Sequence, residues 1–152
     1  MDYDIAIIGY GPVGAMAANM FGSSGLNIVV IEPKKEIWNI PRAVALDGQA
    51  QRIFQSCGIS NNIPVKPIDG LTFINKKGQQ IVYVDFTDHS TPNGYSETVG
   101  FSQPNLERTL RDQAESYKNI TFKLGSSLSN LVASENNNEL TVMNNVTNET
   151  EV

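Results

Sequence analysis

The chain opens on an unbroken apolar run. Tyr3 to Ile8 is rich in isoleucine and ends in the glycine cluster GYGPVG, Gly9 to Gly14. A short apolar run bounded by glycine, without polar alternation, predicts a strand buried on both faces. The period then changes. In AMAANMFGSSG, small and apolar residues recur at helical spacing. Ala15, Ala18 and Met20–Phe21 are expected to face a sheet, and Gly25 to stop the helix. A second continuous run, NIVVI from Asn27 to Ile31, predicts another buried strand, with Glu32 at its end. The three elements make one βαβ unit of ordinary length.

The pattern beyond Glu32 departs from a plain nucleotide fold. Pro33 to Pro41 is a polar loop, followed by PRAVALD and a helix expected from Gly48 to Cys57, stopped by Gly58. LTFINKKGQQIVYVDF reads as two strands around a Lys-Lys-Gly turn. Thr87 to Glu97 is polar and reads as a loop. Gln103 to Tyr117 predicts a helix, with Pro104 in its first turn and Leu106, Leu110 and Ala114 forming one stripe. Ile120 to Leu124, Leu128 to Val132 and Leu140 to Met143 read as strands. NNVTNETEV reads as a turn entering one more. The expected fold is α/β: a Rossmann-like βαβ unit in a mainly parallel sheet, with antiparallel hairpin and meander insertions.

Composition narrows the function. The 152 residues carry a formal net charge of −5, which argues against a nucleic-acid surface of clustered Lys and Arg. One cysteine, Cys57, cannot form an internal disulfide, and zinc spacing is absent. The lone His89 lies in the polar loop and is read as solvated. No stretch approaches the ~20 apolar residues of a membrane span, and the start lacks the basic residues of a secretory signal. The expectation is a cytoplasmic protein that binds neither nucleic acid nor membrane, with no metal site.

The chemistry concentrates in the first glycine cluster. A lone GxGxxG says little, but here a strand precedes it, a helix follows, and an acid ends the next strand. Gly9 allows the tight turn, Gly11 lets the backbone approach a pyrophosphate, and Gly14 lets the helix pack close to the strand. Pro12 suits the first helical position, and with Val13 it opens the helix whose free N–H groups face the phosphates. Glu32 can accept from ribose hydroxyls, which disfavours a 2′-phosphate, although Lys34 and Lys35 offset that charge. The alternatives are a structural glycine turn without ligand and a solvated strand-end acid.

Four segments extend the pattern: DIAIIGYGPVGAMAA, VVIE, PRAVALDGQAQRIFQSCGI and GFSQPNLERTL. They resemble the flavoprotein aromatic hydroxylases of the p-hydroxybenzoate hydroxylase fold, in particular the 3-(3-hydroxyphenyl)propionate and phenol hydroxylase-like group. The resemblance implies FAD as the cofactor and NADH or NADPH as electron donor. It also implies a small aromatic substrate that receives one oxygen atom from O2. It places Arg42 and Ala43 along the cofactor, Gln103 near the ribityl chain, and the backbone of Leu128 by the adenine; Pro33 and Lys34, which follow Glu32, are counted with it among the cofactor-binding residues. Arg42 as a surface arginine and Gln103 as a helix-start polar residue remain open alternatives. Asp47 is read first as a helix N-cap and Cys57 as a small core residue. No residue of this chain is assigned a catalytic role, since the cofactor carries the chemistry.

The resemblance also implies what is missing. Residues 1–152 read as an incomplete FAD-binding domain without the substrate domain or the later flavin motifs. The isolated chain is therefore expected to be inactive, and the unpaired strand edges of an incomplete sheet leave a homo-oligomer open. Two other readings stand beside this one: a non-catalytic or truncated dinucleotide-binding module, and the NAD-binding domain of another oxidoreductase.

Overall fold

The computed structural model describes residues 2–87 and 91–152. His89 lies outside the described residues. The chain divides into two compact units, one made of residues 1–39 with 107–152 and the other of residues 40–106.

The first unit is built on a parallel sheet. Strand β1 (Ile5–Ile8) leads through helix α1 (Pro12–Gly22) to β2 (Ile28–Glu32), and β8 (Ile120–Leu124) completes the order β1-β2-β8. β2 is central: Ile28 pairs with Ile5 on one side and Ile120 on the other. Its residues Ile28 to Ile31 are all buried, as a continuous apolar run in a parallel sheet requires. An antiparallel sheet of β9 (Ser126–Ala133), β10 (Asn138–Asn144) and β11 (Thr150–Glu151) belongs to the same unit. Val29 and Ile31 from β2 join Val142 from β10 in one core cluster, flanked by Tyr3 and Leu140.

Helix α1 has its proline at the first position and ends at Gly22, with Gly25 in the left-handed region at φ +79°. Its buried face is Ala15, Met16, Ala18, Asn19 and Gly22. Met20 and Phe21, expected against the sheet, are 49% and 40% exposed. At about 100° per residue they turn away from the stripe that Ala15, Ala18 and Gly22 define. The buried Asn19 uses its Nδ2 to donate to Ala15 O and Leu110 O, both at 2.8 Å, and so ties α1 to the third helix.

That helix, α3 (Gln103–Ala114), begins in the second unit and ends in the first. Leu106, Leu110 and Ala114 are buried as the stripe predicts. It stops three residues short of Tyr117. There Ser116 and Tyr117 donate to carbonyls three residues back, tightening the chain out of the α geometry.

The second unit holds β3 (Ala45–Asp47), helix α2 (Gly48–Ser56), a 3-10 turn at Ser60–Asn62, β4 (Val65–Pro67), the hairpin β5 (Gly70–Ile74) and β6 (Gln80–Asp85), and β7 (Thr98–Phe101). β7 lies between β3 and β4, antiparallel to both. The sequence pattern indicated none of these three strands, because runs of three or four residues are too short to display a period. Asp47 does cap α2, accepting from the Ala50 N–H at 2.8 Å. Gly58, at φ +71°, follows the end of the helix. Cys57 is half-buried beside it.

The hairpin forms where the Lys-Lys-Gly turn predicts it. Leu71 pairs with Val84 and Phe73 with Val82, so these four share one face, and all are exposed.

Candidate dinucleotide site

The turn between β1 and α1 uses its three glycines in three different ways. Gly9 takes φ +100°, and its N–H donates to Ile31 O of β2 at 2.8 Å. An L side chain rarely adopts that conformation. At Gly14 an added Cβ would stand 1.9 Å from the Gly9 carbonyl oxygen, so the helix can lie this close to the turn only without one. At Gly11 a Cβ would meet no atom within 4 Å. Packing within the protein does not require glycine there, whereas a close-approaching ligand does.

Gly11 is the N-cap of α1 and its carbonyl accepts the first helical bond, from Ala15 N–H at 2.8 Å. Pro12 has no N–H to satisfy. The N–H groups of Val13 and Gly14 have no carbonyl one turn earlier to bond. Among the described residues no side chain caps the helix, and no acid lies in its first turn. Val13 is largely exposed. The helix thus starts on open, positively polarised N–H groups.

Glu32 ends β2 beside this turn. Its Oε2 accepts from Tyr10 N–H at 2.7 Å and its Oε1 from Lys34 N–H at 2.9 Å. Both oxygens are oriented by main chain and each keeps a second lone pair. The Lys34 ammonium sits over the Trp38 ring, 3.6 Å from its centroid. The Pro33 carbonyl accepts from Asn145 Nδ2 at 3.2 Å.

Two residues behind the turn escaped the sequence reading. Tyr10, between Gly9 and Gly11, is fully buried. Its ring packs between Phe122, with centroids 5.2 Å apart, and the Arg111 guanidinium, 4.5 Å from its centroid. Arg111 Nη2 donates to Tyr10 O at 2.7 Å, and Tyr10 Oη donates back to Arg111 O at 3.4 Å. Burial pushes the Tyr10 phenol well above the usual tyrosine range, and Glu115 adds to the shift. No pattern in the sequence marked Arg111: one position after Leu110 it lies about 100° round the helix from the centre of the Leu106, Leu110 and Ala114 stripe, where a solvated arginine is ordinary.

In the second unit the structure brings together Arg42, Ala43 and Gln103, some sixty residues apart in sequence. Gln103 is buried, and its Oε1 accepts from Arg42 N–H at 2.7 Å and Ala43 N–H at 3.0 Å. The glutamine amide thereby fixes the backbone of the Arg-Ala segment, while the Arg42 residue is exposed. In the first unit Leu128 is half-buried in β9 and in register with Val142.

The residues present fit the adenosine diphosphate part of a dinucleotide. There is a cradle at Gly11, an uncapped helix start for phosphate oxygens, and an oriented carboxylate for ribose hydroxyls. A family profile described as FAD binding domain matches residues 2–152. The chain belongs to that family, the FAD-binding domains of flavin monooxygenases. It is 33% identical over 128 residues to the 3-(3-hydroxy-phenyl)propionate/3-hydroxycinnamic acid hydroxylase of Paraburkholderia xenovorans, covering 83% of this chain and 20% of the relative. A second hydroxylase so named, from Burkholderia vietnamiensis, is 31% identical over 138 residues, covering 89% of this chain and 22% of the relative.

Among solved structures, p-nitrophenol 4-monooxygenase PnpA from Pseudomonas putida superposes with a TM-score of 0.84 at 16% identity, over 96% of this chain and 38% of that one. The flavin-dependent monooxygenase PieE, solved with FAD and substrate, also gives 0.84, at 18% identity, over 99% of this chain and 28% of that one. These likenesses establish the fold. The chain spans about a fifth of the length of the curated relatives it matches.

Proposed function

We propose that this chain supplies the adenosine- and pyrophosphate-binding part of the FAD site of a flavin-dependent monooxygenase acting on a phenolic or other aromatic substrate. The contrast between Gly14 and Gly11 carries the reading: the fold requires one glycine and leaves open space at the other, where a ligand can approach the backbone. The Val13 and Gly14 N–H groups bind phosphate oxygens and Glu32 accepts from the ribose hydroxyls. In the second unit Gln103 holds the Arg42–Ala43 backbone, and Arg42 supplies a guanidinium suited to a diphosphate. Gln103 near the ribityl chain and the Leu128 backbone near the adenine are the remaining assignments.

A bound flavin would supply the redox chemistry, with NADH or NADPH as electron donor and O2 as the source of the oxygen atom. The residues of this chain bind and orient the cofactor and perform no bond-making step. The names of the curated relatives support a hydroxylated aromatic acid or phenol as the substrate class of the whole protein. The isolated chain is expected to bind FAD without hydroxylating.

FAD binding by the purified chain, followed by flavin fluorescence with NAD and NADP in parallel, tests this reading. FAD-selective binding that is lost in Gly11→Val and Glu32→Ala is the expected result. A response to NAD alone would replace it with a dehydrogenase assignment.

A further inference from the structure

We propose that Arg111 is a positioning residue for the glycine-rich turn. It fixes the Tyr10–Gly11 peptide so that the turn presents the Gly11 N–H, and not the Tyr10 carbonyl, to an anionic phosphate. This rests on reading the turn as a phosphate site.

Arg111 is buried, and its shortest hydrogen bond goes to a main-chain carbonyl, Tyr10 O at 2.7 Å. Among the described residues its one ion pair is loose, with Glu107 Oε2 3.8 Å from Nη2, and its Nε is buried without a hydrogen-bond partner. Burying a guanidinium this way is costly, and an aliphatic side chain would fill the same space against the Tyr10 ring at less expense. What an aliphatic residue could not do is hold the carbonyl.

The consequence follows from peptide geometry. The peptide is trans and planar, so its C=O and N–H point in opposite directions. With Tyr10 O turned inward to Arg111, the Gly11 N–H is turned away from the buried side. Glycine at 11 tolerates either sign of φ, and a Cβ built there would meet no atom within 4 Å, so no side chain holds this peptide in place. Turned over, it would direct carbonyl lone pairs at the phosphate and repel it. The Arg111 bond removes that alternative. The Tyr10 N–H, on the preceding peptide, is held separately by Glu32.

The test compares Arg111→Met with the unaltered chain, titrating ADP and adenosine and recording the Gly9 and Gly11 amides by NMR relaxation dispersion. ADP affinity is expected to fall roughly tenfold, as for loss of a hydrogen bond to a charged group, while adenosine affinity stays within about twofold. Millisecond exchange should appear at Gly11, and Arg111→Lys, which restores a cationic donor, should recover most of the ADP affinity. Arg111→Leu, which likewise has no donor for the Tyr10 carbonyl, carries the same expectation as Arg111→Met and serves if the methionine variant does not fold. Unchanged ADP binding with a quiet Gly11 amide overturns the proposal, as does an equal loss of ADP and adenosine. If the unaltered chain binds neither ligand, the phosphate-site reading fails, and exchange at Gly11 alone still decides whether Arg111 locks the peptide.

Discussion

At the residue scale, Gly11 and Gly14 have the same chemistry and opposite constraints. Gly14→Ala forces a Cβ to within 1.9 Å of a backbone oxygen that cannot swing aside. The expected loss is at the upper end of the overpacking range, about 3 kcal/mol. For a chain of this size that lowers the thermal midpoint by roughly 6–12 °C. Gly11→Ala meets no atom within 4 Å at φ −73°, and should unfold within about 0.5 kcal/mol of the unaltered chain. Thermal melts of the two variants without ligand check the contrast. An equal drop in both would remove the argument that Gly11 answers to a ligand.

Tyr10 gives a second residue-scale expectation. Its phenol is neutral in the fold and its pKa is raised by burial, while in the unfolded chain a tyrosine ionises near pH ~10. Above that pH the unfolded state has lost a proton that the folded state keeps, so stability falls as pH rises. The stabilisation is fully present below pH ~10 and is lost progressively above it. Urea unfolding between pH 8 and 11 should show this decline, and Tyr10→Phe should flatten it. A slope unchanged by the substitution would place the alkaline sensitivity elsewhere.

At the element scale, β2 and the β5–β6 hairpin are opposites. β2 is paired on both edges, and Ile28 to Ile31 are buried. The hairpin is a two-stranded sheet of its own, with Leu71, Phe73, Val82 and Val84 exposed on one face. Isolated hairpins are marginally stable in water, because two strands bury too little apolar surface. Amide hydrogen exchange should therefore be slowest in Val29–Ile31 and fast throughout 71–84, with the hairpin opening independently of the β1-β2-β8 sheet. Matching protection in the two elements would show that the hairpin is covered in solution. The hairpin was legible because its strands are five and six residues long and its turn chemistry is explicit. β3, β4 and β7 were not, since their pairing is fixed by β7 lying between the other two.

At the scale of the whole molecule, the chain belongs to the family whose FAD binding domain profile matches residues 2–152. No helix among the described residues is long and apolar enough to cross a membrane. By itself the sequence determined the βαβ unit, the glycine turn and Glu32. These depend on local rules: an apolar run makes a buried strand, glycine permits a positive φ, and the acid ends the next strand. It also marked Arg42 and Gln103 through resemblance. Only the tertiary structure decided what those residues touch. Gln103 grips the backbone of Arg42 and Ala43 across sixty positions, and Arg111 reaches across a hundred to hold the carbonyl of Tyr10. The physical reason is that a buried hydrogen bond between distant segments leaves no period in the sequence. Its partners, Gln103 with Arg42 and Ala43 and Arg111 with Tyr10, meet only when distant segments of the chain fold together.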